Sequence, residues 1–121
     1  MHIILQRSDG MKKTIVIHSE FLGRGNDELG EKLMGSFLRK LWAQETKPDR
    51  IIFYNTGVRL LAEGSPVLDA LDGLYKAGVD LIACGTCTAF LDLRDSIVLG
   101  RISDMQEIVA SLVNSEEVIT V

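Results

Sequence analysis

The chain has 121 residues, 46% of them apolar, with 13 Lys and Arg against 17 Asp and Glu for a formal charge of −4. That length suits one domain with a full core, and a chain this apolar buries enough surface to offset its ordering entropy, which excludes disorder. No basic run marks a nucleic-acid binder and no apolar run reaches the ~18 residues of a membrane span, so a soluble, cytoplasmic domain is expected.

Residues 1–11 stand apart. His2 to Arg7 lacks the layout of a signal peptide, Ser8-Asp9-Gly10 is a turn signal, and Met11-Lys12-Lys13 reads as a start in its own right. They are expected to be an N-terminal extension, either an extra strand or the remnant of a preceding domain, ahead of a domain over 12–121. Thr14 to His18 is a short β-branched run, the mark of a strand buried on both faces. After the loop Gly23-Arg24-Gly25-Asn26, apolar residues Leu29, Leu33, Met34, Phe37, Leu38, Leu41 and Trp42 recur at helical spacing, which places Phe37 and Trp42 in the core. Acids at the start of this helix (Asp27, Glu28, Glu31) and bases at its end (Arg39, Lys40) suit the macrodipole.

Arg50 to Asn55 is the second predicted strand, ending in a turn at Asn55-Thr56-Gly57. Glu63-Gly64-Ser65-Pro66 reads as a helix start, with Ser65 as N-cap and Pro66 at the first helical position. Val67, Leu68, Leu71, Leu74 and Tyr75 form the apolar face, and Gly78 ends the helix. Val79 to Ala83 is the third strand. A helical turn at Ala89 to Leu93 and a fourth strand at Ser96 to Leu99 follow. Ser103-Asp104-Met105-Gln106 reads as a capping box, with Met105, Ile108, Val109, Leu112 and Val113 as the face behind it. Glu117 to Val121 is a fifth strand. Strands alternating with helices at this spacing predict a three-layer α/β/α sandwich around a mostly parallel sheet of about five strands.

In such a sheet, chemistry gathers beyond the carboxyl ends of the strands. Those ends are His18-Ser19-Glu20, Asn55-Thr56-Gly57, Cys84-Gly85-Thr86-Cys87 and Gly100-Arg101. The chain has only two cysteines, and both fall in the third of these segments. A thiol at a strand end beside a helix start faces backbone N–H groups that favour thiolate, the nucleophile for disulfide exchange and for accepting sulfur as a persulfide. Gly85 permits close backbone approach, and Thr86 is expected to cap the following turn.

Other readings compete. Two small buried residues with no role would also suit cysteine. A zinc site needs about four ligands, and beyond the cysteines only His2 and His18 are candidates, so no metal is expected. A thioredoxin-type dithiol shares the spacing, but its motif follows an early strand and is completed by a later cis-proline. Here both prolines, Pro48 and Pro66, lie upstream. The loop Gly23 to Asn26 is neither a P-loop nor a dinucleotide fingerprint, and Asp27 and Glu28 would repel an anion there. His18 is a candidate base or cation near the thiols, while Arg24, Arg59 and Arg101 could draw an anionic sulfur donor.

Four stretches together resemble the DsrE-like domain: Gly23 to Gly30, Ile52 to Val58, Glu63 to Leu68, and Gly78 to Cys87. The resemblance covers residues 12–121 and is nearest to the C-terminal DsrE-like domain of YedF-type proteins, which are associated with selenium metabolism. It implies a parallel α/β/α sandwich that forms homo-oligomers, here a trimer. In sulfur-relay members a cysteine after the third strand accepts sulfur as a persulfide and passes it on, which falls on Cys84, with Cys87 as a second thiol. YedF-type proteins carry a TusA-like domain ahead of this one, and His2 to Arg7 would be the tail of its last strand. The expected function is a sulfur or selenium carrier with Cys84 and Cys87 as catalytic thiols. His18, Asn55, Thr56, Gly57, Gly85 and Thr86 would contact substrate. No cofactor is expected, and the partners would be sulfur donor and acceptor proteins. The alternatives are a non-catalytic oligomeric binding module and a dithiol redox protein.

Overall fold

A computed structural model describes residues 12–121; the expectations for 1–11 lie outside the described residues. Five strands, β1 (Lys13–Ile17), β2 (Arg50–Phe53), β3 (Asp80–Cys84), β4 (Arg101–Ser103) and β5 (Glu117–Thr120), form one sheet in the order β4-β3-β2-β1-β5. Every pairing between them is parallel. Four α-helices connect them: α1 (Asp27–Ala43), α2 (Leu68–Lys76), α3 (Gly85–Phe90) and α4 (Met105–Asn114). The α/β sandwich expected from the alternation is therefore present.

Register and pleat divide the sheet into two faces. Ile15, Ile51 and Leu81 stand side by side, with Ile17, Phe53 and Ala83 one pleat further on, and all are buried. This face meets Met34 and Leu38 of α1 and Leu71 and Leu74 of α2 in one apolar core. The opposite face begins with Thr14, Arg50 and Asp80 and continues into Ile52, Ile82 and Cys84, which join Ile108 of α4 in the same core. The chain steps from β1 to β4 in one direction and then crosses back to β5. Right-handed crossovers put α1 and α2 on one side and α4 on the other.

Several predicted boundaries shift, each for a local reason. Asn26, the last residue of the glycine-containing loop, is the N-cap of α1, and its Oδ1 accepts from the Leu29 amide at 2.8 Å. This cap is worth about 1 kcal/mol and accounts for the loop without a phosphate. Helix α2 begins at Leu68, with Val67 as its N-cap, so Ser65 and Pro66 precede it by nearly a turn. The expected fourth strand at Ser96 to Leu99 is instead a 3₁₀ turn at Arg94–Ser96 followed by a lone antiparallel bridge, Ala62 to Ile97. The chain reaches the sheet only after Gly100, which passes so close to β3 that a Cβ would lie 2.6 Å from the Leu81 carbonyl oxygen, with φ at +77°. Arg101 consequently starts β4 at its amino end, away from the carboxyl edge. The N-cap of α4 is Asp104, whose carboxylate accepts from the Glu107 amide at 2.9 Å, while Ser103 hydrogen-bonds the Glu107 side chain. Trp42 is half-exposed instead of core, packed over Gly73 of α2.

Candidate functional site

Cys84 is the last residue of β3 and the N-cap of α3, a position that turns the chain from strand to helix with no loop between. The helix thus starts four residues earlier than Ala89, and Cys87 lies within it. Thr86 is an exposed internal residue of α3 and cannot be its cap. Thr88, fully buried, donates its hydroxyl to the Gly85 carbonyl at 3.0 Å, within the first turn of α3. Gly85 lies against β4, where a Cβ would stand 3.1 Å from the Ser103 carbonyl oxygen.

The two thiols differ in access. Cys84 is 0% exposed and belongs to the core; Cys87 is partly exposed. Cys84, the residue on which the resemblance places the sulfur-accepting role, thus has its side chain buried in the core at the end of β3. Cys87 accepts from the Asn55 backbone N–H at 3.0 Å, and the Cys84 side chain is near enough to act on its titration. Burial and the Cys84 contact push the Cys87 thiol above its ordinary value, and the Asn55 N–H pulls the other way. Against the expected thiolate-favouring strand end, burial and Cys84 thus favour the protonated form of the Cys87 thiol.

Asn55 opens the 3₁₀ segment Asn55–Leu61 after β2, with a left-handed φ of +53°. Its Oδ1 accepts from the Thr56 amide at 2.8 Å, and the Thr56 hydroxyl accepts from the Glu20 amide at 3.3 Å. Tyr54 donates its amide to the Ile17 carbonyl at 3.1 Å. Gly57 is pressed onto the end of β1, where a Cβ would come within 2.4 Å of the Ile17 carbonyl oxygen. Asn55, Thr56 and Gly57 thus join the cysteines in one cluster. His18 is exposed just past the end of β1, with no side-chain hydrogen bond or ion pair among the described residues.

Next to this cluster is a cavity of about 210 Å³ with Met34, Leu60, Val67 and Leu93 as apolar lining and Glu20 and Arg59 at its rim. Those two form an ion pair at 3.6 Å. Glu63 to Pro66 also wall the cavity, so capping alone does not account for that motif. Nothing in the sequence signalled a cavity, because it depends on how the loops after β1 and β2 approach α1. Arg24 is exposed on the loop before α1, and Arg101 is held by Asp80 and Glu107 on the other sheet face. Among the described residues no group of three or more His, Cys, Asp or Glu could hold a metal ion, and no helix is long and apolar enough to cross a membrane.

No family model matches the chain, and no curated protein matches it. Solved structures do. The YchN protein from E. coli, a DsrE-like fold, superposes with a TM-score of 0.70 at 19% identity, covering 91% of this chain and 98% of that one. MTH1491 from Methanobacterium thermoautotrophicum, a protein of unknown function, gives 0.63 at 20% identity over 88% and 97%. BT1422 from Bacteroides thetaiotaomicron, also of unknown function, gives 0.64 at 15% identity over 91% and 95%. Likeness at these identities is a likeness of fold.

Proposed function

We propose that the chain is a carrier of sulfane sulfur, or of selenium in its place, with Cys87 as the thiol that takes the atom up. The observation that carries the reading is the pairing of two thiols at the carboxyl end of β3, one buried, the other partly exposed with a backbone N–H on its sulfur at 3.0 Å. Cys87, once deprotonated, attacks the terminal sulfur of a donor persulfide R–S–SH. The donor S–S bond breaks, RS⁻ leaves and takes a proton, and Cys87–S–SH remains. An acceptor thiolate attacks the same outer sulfur and returns Cys87 as thiolate. Alternatively Cys84 attacks Cys87 Sγ, forming the Cys84–Cys87 disulfide and releasing H₂S; the two thiols are oxidised and the sulfane atom is reduced.

The reading extends the resemblance to the YedF-type DsrE-like domain, with a TusA-like carrier among the donor or acceptor proteins. Phe90, three residues beyond Cys87 on α3, is 88% exposed, an aromatic suited to anchoring such a partner. Met105, Val109 and Val113 repeat every fourth residue along the outer side of α4 and are 47–75% exposed, which supports assembly with further copies of the chain, as a trimer.

Two observations keep other readings in play. Two thiols three residues apart at one strand end also suit a dithiol redox centre, which would cycle through the same disulfide without a persulfide. The raised Cys87 titration suits a binding module in which neither thiol reacts. Treatment with a low-mass persulfide donor followed by intact mass measurement separates them. One added sulfur atom, lost in Cys87→Ala, is the carrier result. A disulfide in the parent with no sulfur retained on Cys87 in Cys84→Ala, where no resolving thiol remains, supports the redox reading, and an unchanged mass supports the module.

A further inference from the structure

We infer that Asn55 is a positioning residue: its left-handed backbone turns its own amide N–H onto the Cys87 sulfur, and the end of β1 holds it in that orientation. A non-glycine residue at φ +53° is uncommon, and asparagine is among the few that tolerate it, because its short side chain bonds the local backbone. Here that bond is made, from the Thr56 amide to Oδ1 at 2.8 Å. Three further contacts hold the segment against the end of β1 and the loop that follows it. Tyr54 donates to the Ile17 carbonyl at 3.1 Å, the Thr56 hydroxyl accepts from the Glu20 amide at 3.3 Å, and Gly57 sits where no Cβ fits against Ile17.

The donor this arrangement presents is a backbone amide, which has no proton to lose at working pH and no side chain to swing away. Such a preorganised donor stabilises negative charge on its acceptor at little reorganisation cost. Cys84, from β3, is the one titratable group acting on the Cys87 sulfur among the described residues. It opposes ionisation, as does burial, so the Asn55 N–H is what offsets them. The role goes beyond contact with substrate: Asn55 conditions the thiol before any donor arrives.

The inference rests on Cys87 being the entry thiol, and its test reads that thiol without any sulfur transfer. The rate of Cys87 alkylation by iodoacetamide is followed from pH 6 to pH 11 in the full chain and in two variants. Asn55→Gly keeps the left-handed backbone and loses Oδ1; Asn55→Val disfavours that backbone strongly. Losing a hydrogen bond to a charged sulfur is worth about a tenfold change. The expected result is an upward shift of the titration midpoint and about a tenfold lower rate at neutral pH in Asn55→Val, with Asn55→Gly within about twofold of the parent. Asn55→Ala replaces the valine variant if that chain fails to fold. A parent-like profile in the valine or alanine variant overturns the inference, as does an equal loss in Asn55→Gly. If the donor experiment adds no sulfur while these profiles separate as expected, the carrier reading fails and the role of Asn55 stands.

Discussion

Cys84 and Cys87 are three positions apart, but one ends a strand inside the core and the other sits on the helix that covers it. Their substitutions should therefore read differently. Cys84→Ser places a hydroxyl in an apolar site and is expected to cost about 1–3 kcal/mol in denaturant unfolding, whereas Cys87→Ser costs less than about 1 kcal/mol. Equal losses would mean that both thiols are packed alike. At Gly57 the constraint is steric: Gly57→Ala pushes a methyl against the Ile17 carbonyl and should cost about 1–3 kcal/mol while loosening the Asn55 segment. The cysteine pair was legible because β-branched runs reveal strand ends. Which sulfur is exposed was not, since that depends on the pleat of β3 and on a helix that begins at once. The left-handed Asn55 was equally hidden; Asn55-Thr56-Gly57 announces a turn but not what its amide faces.

Helix α1, with its ordinary N-cap, and the strands β1 to β3, buried on both faces, could be read almost to their ends. Where reading failed, at β4 and the start of α4, polar contacts override local pattern. Arg101 donates to Asp80 at 2.9 and 3.0 Å and to Glu107 at 2.6 and 2.9 Å, Arg50 hydrogen-bonds Ser111, and Ser103 hydrogen-bonds Glu107. Together these contacts tie α4 to β4 and β2, and β4 to β3, and for Arg101–Asp80 and Arg50–Ser111 no short window of sequence contains both members. They hold the Glu107 carboxyl at about 2, below its ordinary 4.5, chiefly through Arg101 and Ser103. A carboxyl lowered on folding stabilises the fold above its unfolded value and loses that contribution as pH falls from about 4.5 towards 2. Glu107→Gln is thus expected to lower stability at pH 7 and to flatten the decline between pH 4.5 and 2 in thermal melts; an unchanged acid profile would assign that decline to other carboxylates.

At the scale of the whole molecule the sheet is unevenly clothed. Among the described residues, helices α1 and α2 cover one face and α4 the other, and Val118 and Ile119 of the edge strand β5 are part-exposed. Helical periodicity put Met105, Ile108, Val109, Leu112 and Val113 on one face; Ile108 and Ser111 are buried and Leu112 packs on the core, while Met105, Val109 and Val113 face outward as a stripe. If the stripe is an assembly surface, Val109→Glu should lower the mass seen by light scattering to that of one chain, and a parent that already scatters as a monomer would refute assembly. Sulfur placement tests the central claim most directly. After loading with a persulfide donor and blocking with an alkylating agent, fragmentation of the peptide containing both cysteines should find the added sulfur on Cys87. Sulfur on Cys84, or on neither residue, would contradict it.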